Sequence, residues 1–257
     1  MLGSGLFITG TDTGVGKTVV AAAVTRALRA AHVAAVACKP IETGVDGEEG
    51  EDAALLRRAA DGALTASEVC DLRLPTPAAP LRAARAAGGV VEVARLSALV
   101  TRLRQRHPFV VVEGIGGVGV PLTPETTLLD WLATLRIPAL VVTTPRLGTL
   151  NHTWLTVRAL RAAHVAVVGM VVNRVVQDAT TVAELHAAED LTELCGLPLI
   201  ACLPEVTTPA RQTTWDSLAR QFDGAALYQA AYALSDRTES HGDSMGTGRW
   251  EAGDPAV

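Results

Sequence analysis

Two lysines and one acid mark where this 257-residue chain can do chemistry. Lys17 sits in the run Gly10-Thr11-Asp12-Thr13-Gly14-Val15-Gly16-Lys17-Thr18. A Gly-rich turn between an apolar strand and a helix aims successive backbone N–H groups at phosphate oxygens, aided by the positive end of the helix dipole. There Lys17 would reach the β- and γ-phosphates, and the Thr18 hydroxyl would ligate Mg2+. Five residues separate Gly10 from Gly16, one more than in the common phosphate loop. Lys39 lies in Cys38-Lys39-Pro40-Ile41-Glu42-Thr43-Gly44. Of 22 Lys and Arg residues only these two are Lys, so both mark positions where a compact ammonium is required and a planar guanidinium fails.

Glu113 ends the apolar run of Val110-Val111-Val112-Glu113-Gly114-Ile115-Gly116-Gly117. An acid at a strand end beside a phosphate loop is where Mg2+ is held, and the glycines let backbone approach a ligand closely. Asp52, after Glu48-Glu49-Gly50-Glu51, reads by itself as a helix start within an exposed charge run. In Arg146-Leu147-Gly148-Thr149-Leu150-Asn151-His152, Thr149 is expected to cap a helix whose free amides receive a carboxylate. Asn173 either reads a base edge or closes a turn.

These residues need a scaffold that brings strand ends together. Continuous Val/Ile/Leu/Ala runs at residues 6–8, 33–38, 109–112, 139–142, 165–172 and 199–202 predict strands buried on both faces. Helical patterns fall between them, at about 17–31, 52–60, 93–106, 127–135, 149–163 and 180–195, with a later helix at roughly 209–234. The alternation implies βαβ crossovers and a single α/β domain over residues 1–234, its mostly parallel sheet covered by helices on both faces. Sites in such sheets collect at the strand carboxyl ends, which places Lys39 beside the phosphate loop as a second cation for an anionic substrate. Residues 235–257 turn Gly-rich and polar, with five acids and two Arg, and are expected to lack fixed structure.

Composition narrows the field. At 49% hydrophobic and 19% charged the chain reads as globular, and a net charge of −5 argues against general nucleic-acid binding. Cys38, Cys70, Cys195 and Cys202 show no metal or disulfide spacing. With no basic, apolar leader and no run of about 18 apolar residues, a cytoplasmic protein off the membrane is expected.

Taken in order, Gly-Thr-Asp-Thr-Gly-Val-Gly-Lys-Thr, Lys-Pro-Ile-Glu-Thr-Gly, Glu-Gly-Ile-Gly-Gly and Leu-Gly-Thr-Leu-Asn-His resemble the dethiobiotin synthetases, from Phe7 to Val206. The resemblance implies a P-loop fold and an ATP- and Mg2+-dependent ligase that closes the ureido ring of dethiobiotin from 7,8-diaminononanoate and CO2. It implies Lys17 and Lys39 as phosphate and carbamate cations, and Thr18, Asp52 and Glu113 as metal ligands. Thr43 matches a substrate-contacting hydroxyl, and Thr13 lies in the loop near the carbamate. Nucleotide contacts fall on Gly14, Val15, Gly16, Lys17, Thr18 and Val19, and on Glu113, Gly114, Ile115 and Gly116. Asn173, Arg174, Pro204, Glu205 and Val206 match the adenine side. Gly148, Thr149, Leu150 and Asn151 resemble the helix start that takes the substrate carboxylate across a homodimer interface.

Three positions depart from that pattern. Ile115 replaces a common Ala and narrows the space beside the metal acid, Leu81 replaces a common His, and Arg174 follows Asn173 where some relatives carry Asp. A deviant P-loop ATPase that switches a partner is the chief alternative, but its loops carry a signature Lys where this chain has Asp12. An amidating ligase of the cobyrinate type would add a glutaminase segment with a nucleophilic Cys. A relative that only binds nucleotide would not need to keep both lysines.

Overall fold

The computed structural model describes residues 3–173, 181–204, 206 and 212–240. Its strands are β1 (Ser4–Gly10), β2 (Ala35–Cys38), β3 (Ile41–Thr43), β4 (Leu72–Leu74), β5 (Phe109–Glu113), β6 (Ala139–Thr143), β7 (Val167–Asn173) and β8 (Leu199–Leu203). Its helices are α1 (Lys17–Ala30), α2 (Glu51–Ala59), α3 (Ala66–Val69), α4 (Pro80–Ala86), α5 (Val93–Arg106), α6 (Leu128–Leu135), α7 (Thr149–Ala162), α8 (Val182–Cys195), α9 (Gln212–Ala219) and α10 (Gly224–Ser240).

Each of the six apolar runs becomes a strand of one parallel sheet, ordered β2-β5-β1-β6-β7-β8. The strands β1, β2, β5 and β6 are buried along their whole length, as residues covered by helices on both faces must be. Alanines 21–23 of α1 are fully buried and let that helix lie close to the sheet. Strands β5 and β6 follow one another in the main sheet yet flank β1 on opposite sides, so the carboxyl end of β1 is a topological switch point. Register then aligns the chemistry. Cys38 pairs with Val112 and Ile8 with Glu113, so Lys39, one residue on, comes level with Glu113 beside the phosphate loop.

Three expectations change. Strands β3 and β4 form a small parallel sheet of their own, too short for periodicity to reveal, and α3 and α4 were likewise unforeseen. The helix expected over 209–234 is two helices, α9 and α10. The chain breaks there because Asp223 caps α10, its Oδ1 accepting the Ala226 N–H at 2.9 Å, while Gly224 passes tightly over α1. Residues 235–240, expected to lack fixed structure, are helical, because α10 runs on to Ser240. Ser235 is buried, and its hydroxyl donates to the Ala231 carbonyl at 2.9 Å. Residues 241–257 lie outside the described residues.

Candidate active site

The phosphate loop leaves β1 at Gly10 and enters α1 through Gly16, whose left-handed φ of 90° forms the helix N-cap. Lys17 folds back across the loop, Nζ donating to the Asp12 carbonyl at 2.8 Å, and is only 6% exposed. Burial lowers its pKa from 10.5 to about 8, with the Glu113 carboxylate opposing the shift and Lys39 adding to it. The folded pKa lies below the unfolded one, so between about 8 and 10.5 the unfolded chain binds more protons. This group alone therefore makes stability rise with pH across that window. With charged Lys17 as the expected phosphate contact, nucleotide affinity measured by calorimetry should change little between about pH 7 and 8 and fall by up to about tenfold per unit above pH 8. Proton uptake on binding should accompany the fall.

Beside the loop, four side chains converge. Glu113 is 1% exposed at the end of β5. Its Oε1 accepts from the Thr18 hydroxyl at 2.8 Å and from Lys39 Nζ at 2.9 Å. Lys39 also donates to Asp52 Oδ2, in the first turn of α2. Burial pushes the Glu113 carboxyl above the usual range, while Lys39 holds it down. Burial works against the Lys39 charge too, but the two carboxylates outweigh it and hold the ammonium above its ordinary range.

This donor set suits a hard divalent cation. Mg2+ takes one or two carboxylates and fills its shell with water and substrate phosphate, so it needs no all-protein cage. An ammonium already stands between the two carboxylates, and Glu113 Oε2 is buried with no hydrogen-bond partner among the described residues. Both observations fit a cation held by Thr18, Asp52 and Glu113.

A cavity of about 1040 Å³ opens over these groups. Of the expected residues, Thr13, Gly14, Gly16, Lys17, Thr18, Val19, Lys39, Thr43, Asp52, Glu113, Ile115 and Gly116 line it. Val15 and Gly114 are buried and do not line it. Asn173, at the end of β7, donates its amide to the Val15 carbonyl at 3.0 Å and so braces the loop from below. Pro204 is exposed and Val206 packs partly buried on the core. Arg174 and Glu205 lie outside the described residues.

The start of α7 stands apart, and Gly148, Thr149, Leu150 and Asn151 do not line the cavity. Thr149 does not cap the helix as expected: Gly148 holds that position in the left-handed region. The Thr149 hydroxyl is instead buried against Thr143 at 2.7 Å, and its amide donates to the Arg146 carbonyl at 2.9 Å. The amides left to a ligand in that turn are those of Leu150 and Asn151.

Glu42 and Arg58 are among the lining residues that sequence reasoning missed. Glu42 stood inside a quoted motif without a role. Arg58 lies with its guanidinium 5.7 Å from the Trp215 ring centroid, a contact between α2 and α9 that no spacing announces.

With this geometry in view, similarity to known proteins becomes specific. An AAA domain model matches residues 4–213. The ATP-dependent dethiobiotin synthetase BioD of Anaeromyxobacter dehalogenans is 44% identical over 80% of this chain and 94% of its own. The enzyme of the same name from Thermodesulfovibrio yellowstonii is 33% identical over 87% of this chain and 98% of its own. The chain belongs to the ATP-dependent dethiobiotin synthetase family. These are ligases, and the P-loop, the Lys-Pro turn and the strand-end acid fall inside residues 4–213, which the AAA domain model matches. Solved structures agree on the fold. The septum site-determining protein MinD of Pyrococcus horikoshii, complexed with Mg-ADP, gives a TM-score of 0.52 at 18% identity over 93% of this chain and 96% of its own. A ParA family ATPase of Chlorobium tepidum gives 0.51 at 17% identity, over 93% and 98%.

Proposed function

We propose that the chain closes the ureido ring of dethiobiotin from 7,8-diaminononanoate, CO2 and ATP, with Mg2+ held by Thr18, Asp52 and Glu113. The observation that carries this reading is the burial of Lys39 between Glu113 and Asp52, across the cavity floor from the phosphate loop. One substrate amine adds to CO2 and loses a proton, giving a carbamate anion. A carbamate oxygen attacks the γ-phosphorus while the bond to the β-phosphate oxygen breaks and ADP leaves. The second amine attacks the carbamoyl carbon and loses a proton, the carbon–oxygen bond breaks, and phosphate departs as the ring closes.

None of these steps needs a protein nucleophile, so catalysis rests on placement and charge. Lys17 and the loop amides orient the phosphates. Lys39 neutralises the carbamate oxygen as it approaches, and Thr43 and Thr13 contact the substrate from the cavity wall. Bound Mg2+ would supply charge neutralisation at the phosphates. On the adenine side, Asn173, Arg174, Pro204, Glu205 and Val206 remain the proposed contacts.

We further assign the chain to a homodimer in which the α7 start of one subunit receives the substrate carboxylate of the other. Two features support this. The α7 start does not reach its own cavity, and around it Leu147 is 91% exposed, Leu155 51% and Trp154 38%. Exposed apolar side chains clustered at one helix end mark an interaction surface. Trp154→Glu should therefore give a monomer by sedimentation and lower ligase activity at least about tenfold, since a charge buried at an interface centre costs more than about 1.4 kcal/mol. No helix among the described residues is long and apolar enough to cross a membrane, and we propose a cytoplasmic location. The reaction is tested with ¹³C-bicarbonate, which should yield dethiobiotin labelled at the ureido carbon by mass spectrometry; absence of that product would refute the reading.

A further inference from the structure

Helix α2 carries Asp52 in its first turn, yet its own N-cap, Gly50, has no side chain to satisfy the free amides. Another element supplies the cap. Glu42, at the middle of β3, is 5% exposed, and its Oε1 and Oε2 accept the Asp52 and Ala53 N–H groups at 3.2 and 3.3 Å. A carboxylate at this position meets the positive end of the helix as well as its amides. The backbone bearing it is pinned by pairing with β4, where Glu42 stands opposite Arg73. Gly50 makes the approach possible: a Cβ there would lie 2.3 Å from the Glu42 carboxyl carbon and from both its oxygens. Its φ of −77° is open to any residue, so what Gly50 provides is space.

We propose that Glu42 is the positioning residue for Asp52, with Gly50 as the gap that admits it. Asp52 has a side chain 40% exposed, and Lys39 holds only its tip. Glu42 fixes the peptide from which that side chain springs, and so fixes where the metal-binding oxygens stand. The inference rests on the proposed role of Asp52 as a Mg2+ ligand.

Three readouts test it in the full chain. Amide hydrogen exchange is followed at Asp52 and Ala53 without metal. Mn2+ affinity is measured by electron paramagnetic resonance with ADP present. Half-saturation by Mg2+ is compared with KM for ATP during turnover. Glu42→Ala and Gly50→Ala should each speed exchange at both amides and weaken Mn2+ about 10–100-fold, the usual cost of losing a group that orients a metal ligand. The requirement for Mg2+ should rise while KM for ATP at saturating metal stays near wild type. Glu42→Gln, whose amide oxygen still accepts one of the bonds, should recover most of the loss. Should Glu42→Ala fail to fold, Glu42→Asp falls one methylene short and should show the same two effects. Wild-type exchange and Mn2+ affinity in Glu42→Ala or Glu42→Asp would overturn the inference, as would a Glu42→Gln no better than the alanine. Asp52→Asn separates the two claims, because undiminished Mn2+ binding there removes the metal role of Asp52 while the exchange data still report on Glu42.

Discussion

Lys39→Arg is expected to lower dethiobiotin formation by about 10²–10³-fold, the scale of losing one charge-stabilising group at a reacting oxygen, with nucleotide affinity little changed. The substitution keeps a positive charge between Glu113 and Asp52, and a guanidinium can pair with carboxylates through two bonds. Folding should therefore survive. What fails is placement, because the ammonium is a compact point charge confined to a site 6% exposed, and a planar fork cannot offer the same single centre to a carbamate oxygen. Lys39→Met makes the contrast. It leaves the buried Glu113 charge without its cation, with only the Thr18 hydroxyl to solvate it, and should destabilise the chain by about 3–5 kcal/mol, read from denaturant melts. Near-normal turnover by the arginine variant would remove Lys39 from the chemistry.

Gly16→Ala should damage both the fold and the site. Its φ of 90° is strained for any residue with a Cβ, and that Cβ would stand 2.0 Å from Asn173 Nδ2. Asn173 braces the loop through the Val15 carbonyl, so relief of the clash moves either the brace or the loop. Backbone strain and overpacking together cost about 2–4 kcal/mol, a fall in Tm of about 4–16 °C for a chain this size. A displaced loop that forfeits two charge-assisted hydrogen bonds to phosphate, at about 1.5–3 kcal/mol each, loses more than about 100-fold in nucleotide affinity. Calorimetry with ADP and a thermal melt check the two effects independently. A variant that binds and melts like wild type would show that neither the turn nor the brace is needed.

The parts of this site that a sequence reveals are those whose chemistry is local. A glycine-rich loop declares its turn within nine residues, and apolar runs declare buried strands because both faces are covered. Lys39 stood out through the rarity of lysine in this chain, and Glu113 through its place at a strand end. Register then did what local patterns cannot, bringing Lys39 level with Glu113.

Asp52 shows the limit. Its acidic surroundings resemble a solvated helix start, and it is one, since α2 begins at Glu51. Only the packing of α2 over the end of β2 turns that helix start onto Lys39. Glu42 was hidden for the same reason: its partners are backbone amides ten and eleven residues on, and amides carry no signature in sequence. The break between α9 and α10 did have a local signal in Asp223-Gly224, a turn dipeptide whose acid caps the next helix, which the continuing apolar pattern overrode. Thr149 misled in the opposite sense. A hydroxyl at a helix start suggests a cap, but here it closes a buried chain of threonines with Thr143 and Thr153.

The most direct test of the ligase reading counts phosphate released from Mg·ATP in bicarbonate buffer, with and without 7,8-diaminononanoate, against dethiobiotin formed. Negligible release without the diamine, and one phosphate per dethiobiotin with it, is the predicted result. Release indifferent to the diamine would contradict the account and point to an ATPase that happens to share the fold.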